Sequence, residues 1–260
     1  MSGKSAPRKF DLFGIIIPSL AVLIWCFVPD IANVPAYILP SFQSVVSGLF
    51  DFCFGTGKQN IYSGTLFEHL AASIVRVFYG FTISAILGLT FGYVSGSFPV
   101  FYRLVNPIIT FLRTIPGIAW LPISIVWFGI GNNQSIFLIS LAAFFPVYTN
   151  TCHGVKTIDE ELMAVSKIYG ASALQNFKFV IFPLSLQDVL VGLRVGLGLS
   201  WAYLVLGEMT GVNKGIGAIM QDARMLGRNH MIIVCMLVIA LTAIIFDKLM
   251  NCLIKIIKTS

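Results

Sequence analysis

The chain has 260 residues, 57% of them apolar and 11% charged, with a mean hydropathy of +0.88 and a formal net charge of +6. A water-soluble domain of this length needs far more polar surface, so the composition excludes one and makes the bilayer the solvent. Lysine and arginine cluster beside apolar runs, as membrane topology signals do, and form no basic stripe of the kind that binds nucleic acid.

About twenty apolar residues cross a bilayer core as a helix, and the chain is read as all-α and polytopic with six such spans. A basic tail, residues 1–11 with Lys4, Arg8 and Lys9, precedes the first span at 12–28. Pro29-Asp30 follows it where a cleaved leader would have small residues, so 12–28 is taken as an anchor. Residues 29–66 are expected outside. Within them Pro40-Ser41 and the run FQSVVSGLFDFCF predict an N-capped amphipathic helix on the membrane surface.

The transmembrane core is placed at 67–250. Its first span, from Val75 to Gly96, repeats Gly88, Gly92 and Gly96 every four residues, a face for close helix approach or for lining a pore. The next, from Leu104 to Phe128, contains Pro107, Pro116 and Pro122, which predict kinks or a break. A fourth span runs from Ser135 to Thr151 with a kink expected at Pro146. The fifth runs from Leu184 to Gly207 and the sixth from Met231 to Phe246, and residues 251–260 form a tail.

Between the fourth and fifth spans, 157–183 is a polar, helix-patterned island with five charged side chains of both signs. Thr157-Ile-Asp-Glu160 predicts a capping box, and Leu162, Val165 and Tyr169 share a face of the helix it starts. Gly170 suits the left-handed residue that ends a helix. Ser172-Ala-Leu-Gln175 predicts the cap of a second short helix, closed by Pro183. The expected product is a rigid helix–glycine–helix hairpin, with an ordinary loop as the alternative.

Six spans put both termini on one side. Placing them in the cytoplasm leaves Lys4, Arg8, Lys9, Arg103, Lys156, Lys167, Lys178, Lys248, Lys255 and Lys258 inside. Lys58, Lys214, Arg224 and Arg228 remain outside, with Arg76 near a boundary. That distribution obeys the positive-inside rule and puts the hairpin in the cytoplasm.

No catalytic, cofactor or metal site is expected. The cysteines at 26, 53, 152, 235 and 252 form no CxxC, and His69, His153 and His230 are far apart. The GxxxxGK[ST] phosphate loop is absent, so the chain has no means of hydrolysing ATP. HExxH, GxSxG and paired aspartates are also missing from the spans.

The spacing of Gly170, Val180, Phe182 and Pro183 resembles the cytoplasmic loop of ABC-importer permeases: EAA, three residues, Gly, nine residues, I-x-L-P. The chain departs from it at Ala164-Val165-Ser166. Further segments resemble the nitrate, aliphatic sulfonate and taurine branch. They are Leu39-Pro40-Ser41; His69, Ser73, Arg76, Gly80 and Phe81; and Arg113-Thr-Ile-Pro-Gly-Ile-Ala-Trp-Leu-Pro122 with Trp127-Phe-Gly-Ile-Gly131. Gly192-Leu-Arg194, Trp201, Glu208, Gly215-Ile-Gly217 and Asp247 continue the resemblance.

The resemblance implies a type I ABC importer permease fold in a bacterial plasma membrane. It implies an ATP-binding subunit that grips the hairpin through Thr157, Glu160, Glu161, Ala164, Ser166, Gly170 and Pro183, and that holds the ATP. An extracytoplasmic solute-binding protein and a second permease copy, forming a homodimer, complete the implied complex. The implied cargo is a small anion such as nitrate, a sulfonate or taurine. A pyrimidine- or riboflavin-like solute, or an ion-coupled carrier, is the alternative. Arg113, Trp120, Arg194 and Glu208 are expected on the translocation path. A bare cation inside a span costs from ~2.5 kcal/mol upward, so both arginines must face a cavity or a partner. Structural pairing for the arginines, an interfacial belt for Trp120 and packing for Glu208 stay open as alternatives.

Overall fold

The computed structural model describes residues 12–31, 35, 37–56 and 61–259, and every regular element among them is helical. In chain order they are α1 (Leu12–Ile31), α2 (Phe42–Phe54), α3 (Leu66–Ser97), α4 (Pro99–Thr114), a 3-10 turn (Gly117–Trp120) and α5 (Leu121–Phe128). Then come α6 (Asn132–Lys156), α7 (Glu160–Ile168), α8 (Ala173–Asn176), a π-helical segment (Phe177–Ile181), α9 (Phe182–Glu208), α10 (Ile216–Met225) and α11 (Asn229–Thr259). Four apolar stretches have the length to cross a bilayer: α3, α6, the continuous helix Ala173–Glu208, and α11. The bent pair Pro99–Thr114 and Gly117–Phe128 makes a fifth. The remaining expected span, the first at 12–28, falls on α1, half of whose side chains lie outside the described residues, as do the tail at 1–11 and its lysines.

The core is a slab of α3, α6 and α9 with α6 in the middle. Glycines set how closely these helices approach. A methyl group added to Gly88 or Gly92 would sit 2.8 Å from Val147 and 2.6 Å from Thr151 on α6; at Gly96 it would sit 2.5 Å from Val155. Of the two roles open for this glycine face, close packing is the one observed. α6 passes through Pro146 without a break in its helix.

The proline-rich third span is broken. Ile115, before Pro116, is extended (φ −71°, ψ 120°), because the ring of a proline disfavours a helical residue ahead of it. The chain turns by 98° there, and Pro122 then sits in the first turn of α5, where its missing N–H costs nothing. The tilted rings of Phe128 and Phe137, centroids 4.9 Å apart, pack α5 against α6.

Two expectations change. Pro183 does not close the second hairpin helix: it lies in the first turn of α9, and the backbone stays right-handed helical from α8 through the π segment. Proline at 183 has no N–H for the carbonyl four residues back, and the widened π turn absorbs that loss. The second concerns α2. Its cap is as expected, with Ser41 Oγ accepting from the Ser44 N–H at 3.3 Å. However, Val45 and Phe52 pack against Ile219 and Met231 of α10 and α11, so protein and not lipid covers that face.

Candidate functional site

The hairpin is built from local bonds. Thr157 does not cap α7: it ends α6, its hydroxyl donating to the carbonyls of His153 and Gly154, each at 3.2 Å. The α6 helix runs five residues beyond the expected end of its span, to Lys156, so it reaches Thr157 first. The carbonyl of Asp159 instead accepts the first bonds of α7, from the amides of Leu162 and Met163. At the other end Gly170 has φ +72°, and the Ala171 amide returns to the Ser166 carbonyl at 3.2 Å, closing α7 as a left-handed residue should. Ser172 then makes the expected reciprocal box: its Oγ accepts from the Gln175 amide at 3.3 Å, and its own amide donates to Gln175 Oε1 at 2.8 Å. Ser166 donates to Asn176 Oδ1 at 3.0 Å and ties the two helices together.

What this hairpin presents is unpaired apolar surface. Leu162, Val165, Ile168 and Tyr169 are exposed, the last two 82% and 86%, and Glu160, Glu161 and Ala164 are exposed beside them. α7 lies outside the spans, so lipid tails do not account for these side chains. A capped, clamped helix with its apolar stripe uncovered has the form of a docking element.

The four residues expected on the path are not brought together. Arg113 is exposed in the last turn of α4, with Nη1 3.5 Å from the Thr149 hydroxyl of α6. Among the described residues it pairs with no carboxylate. Trp120 lies in the 3-10 turn after the break, its indole Nε1 buried without an acceptor. Arg194 instead forms a two-pronged pair with Asp247 of α11, Nε–Oδ1 2.7 Å and Nη2–Oδ2 2.9 Å, which is the structural alternative.

Glu208 is 1% exposed. Its Oε1 accepts from Arg76 at 2.5 Å and from Ser73 at 2.7 Å, and its Oε2 accepts from the Gly217 amide at 2.8 Å. Each guanidinium nitrogen of Arg76 is engaged, Nε donating to Asn132 Oδ1 at 2.9 Å and Nη2 to the Lys214 carbonyl. Ser73 accepts the Ile216 amide at 3.0 Å, and His69 Nδ1 accepts the Gly215 amide at 3.0 Å. The result is a buried polar hub that staples the start of α10 to α3 and α9. Within the resemblance His69, Ser73 and Arg76 carry no assigned role, whereas Glu208 is expected on the translocation path. The available signal was His69, Ser73 and Arg76 at spacings of four and three, one face of a helix.

The family described as binding-protein-dependent transport system inner membrane components matches residues 84–259. The chain belongs to that family. It is 33% identical over 240 residues to a candidate aliphatic sulfonates transport permease, SsuC, of Bacillus subtilis, covering 92% of this chain and 84% of that protein. It is 34% identical over 233 residues to the taurine transport system permease TauC of Escherichia coli, covering 89% and 84%. In fold it is similar to a chain of the MetNI methionine ABC transporter in an inward-facing conformation, with a TM-score of 0.53, 22% identity and coverage of 72% and 93%. The chain is thus an ABC-importer permease, a multi-pass inner-membrane component. Its family implies a solute-binding protein and a separate ATP-binding subunit as partners.

Proposed function

We propose that this permease imports a small sulfonate or comparable oxyanion. In this reading two copies form the pore, both termini are cytoplasmic, and each hairpin is gripped by an ATP-binding subunit. The chain itself does no chemistry; ATP is bound and split by its partner. The observation that carries the reading is the uncovered apolar stripe of α7 on a hairpin locked by Gly170, Ser172 and the Ser166–Asn176 bond. Glu160, Glu161 and Ala164 flank that stripe and join its contact surface, while Thr157 and Pro183 hold the joints to α6 and α9.

The mechanism follows from how the hairpin is attached. No loop separates α8 from α9, so closure of the ATP-binding subunits displaces the hairpin and the span as one body. Alternating access then requires a helix packing with two stable arrangements that both partners bias. Arg113 and Trp120, on the two sides of the 98° break, are the residues we assign to the path. An exposed guanidinium that pairs with no carboxylate among the described residues is suited to an anionic cargo. Arg194 and Glu208 belong to the scaffold. The relatives SsuC and TauC, by their descriptions, carry sulfonates, which supports the anionic cargo.

A photo-cross-linker in place of Ile168 should capture the ATP-binding subunit; capture of lipid alone would overturn the docking role. Replacing Arg113 with Gln should abolish uptake while ATP hydrolysis stays responsive to the loaded binding protein. Titrating the partner binding protein with alkanesulfonates, taurine, nitrate and pyrimidines decides the solute, and a preference for pyrimidines would remove the anionic reading.

A further inference from the structure

On the hairpin side of the molecule, α9 and α11 part to leave a groove of about 660 Å³ that plays no part in the reading above. Gln187, Val191 and Arg194 line it from α9, and Lys248, Asn251 and Lys255 line it from α11. Their spacings of four and three residues mean that one face of each helix builds it. Arg194 commits Nε and Nη2 to Asp247, and its side chain is 48% exposed, which leaves the Nη1 edge turned to the groove. Arg194, Lys248 and Lys255 therefore border the cleft, with Asp247 beside Arg194.

The same two faces change character along their length. Toward the far side of the molecule, Val195 on α9 and Ile245 and Leu241 on α11 continue them, all exposed. Arg194 lies fourteen residues from Glu208, about 21 Å along α9. In a hydrocarbon layer about 30 Å thick, a snorkelling side chain at that depth reaches the headgroups of the hairpin-side leaflet. Charge at headgroup level with aliphatic walls above it is the outline of one phospholipid.

We propose that this groove binds an anionic diacyl phospholipid, its phosphate between Arg194, Lys248 and Lys255 and its acyl chains against Val191, Val195 and Ile245. Gln187 and Asn251 face the ester and glycerol oxygens. Basic clefts between membrane helices at the cytoplasmic surface recognise such headgroups, and each lysine near the surface strengthens binding about fivefold. The lipid would cement α9, which carries the hairpin, to α11.

Cys252 lines the groove and is exposed, whereas the other four cysteines are buried or half-buried, so its thiol is a built-in reporter. The experiment uses the assembled transporter in nanodiscs of phosphatidylcholine with or without phosphatidylglycerol, read by native mass spectrometry and by maleimide labelling of Cys252. Phosphatidylglycerol should be retained at least tenfold over phosphatidylcholine and should slow labelling. Lys248→Gln with Lys255→Gln should bring retention close to parity. Equal retention of the two lipids by the unmodified protein would overturn the proposal. So would protection of Cys252 by inorganic phosphate alone, which would mean a free-anion site. A Cys252–Cys252 cross-link between copies in either lipid would mean that a second permease covers the groove. If the double variant fails to assemble, protection of Cys252 in the unmodified transporter carries the test. Neither readout depends on the solute or on the grip of the ATP-binding subunit, so failure here is distinguishable from failure of the proposed function.

Discussion

The two ends of this permease are built on opposite terms. At the far end, Glu208, Arg76 and Ser73 are buried, and every polar atom of the pair has a partner. At the hairpin end, α7 is joined to the body by a clamp of one hydroxyl and one amide, a glycine turn and a cap, while its apolar stripe stays uncovered. The first arrangement resists displacement because any shift strands a desolvated charge. The second is stiff within itself but unfinished, as a part made to meet another molecule is. A transporter needs both: a fixed frame against which a driven element can move.

The contrast can be broken at either end. Arg76→Ala leaves the Glu208 carboxylate buried without its cation, a change that costs about 3–5 kcal/mol. Thermal unfolding in detergent should show a collapse of stability, largely restored in Arg76→Met with Glu208→Leu, where the charges are removed together. Gly92→Leu attacks the slab instead. Its Cβ alone would sit 2.6 Å from Thr151, so the larger side chain overpacks the interface and should cost about 1–3 kcal/mol in the same measurement. At the hairpin the effects are local. Gly170→Val has open space around it but must adopt φ +72°, a strain of about 1–3 kcal/mol, which α7 relieves by unwinding its end. Membrane insertion and bundle stability should be normal while uptake is uncoupled from ATP hydrolysis; normal uptake would refute the hairpin's role. Ser172→Ala is the mildest, removing a cap worth about 1 kcal/mol, visible as faster amide exchange in α8 with partial loss of transport.

How much of this was legible in the sequence depends on range. Features fixed by neighbours a few residues apart were readable: the box at Ser172 and Gln175, the turn at Gly170, the break at Pro116, the small-residue face of α3. Thr157 misled because a hydroxyl at a helix boundary can serve the helix behind it as well as the one ahead, and α6 proved long enough to claim it. Pro183 misled because a proline stops a helix only where no wider turn takes up the missing bond. The hub was out of reach for a different reason. Arg76 and Glu208 are 132 residues apart, and nothing in one sequence says which buried cation meets which carboxylate. The same holds for Arg194 and Asp247, and the presumption that charges in spans face cargo is least safe where two such charges can satisfy each other.

The π segment at Phe177–Ile181 has one more consequence. A single extra residue in a helix turns everything beyond it by about 100° around the axis, since 3.6 residues make one revolution. The bearing of α8 around the α9 axis is therefore set by that one loosened coil, and the elbow at Gly170 carries it on to α7. Trimming one residue from it would leave a well-formed hook pointing the wrong way.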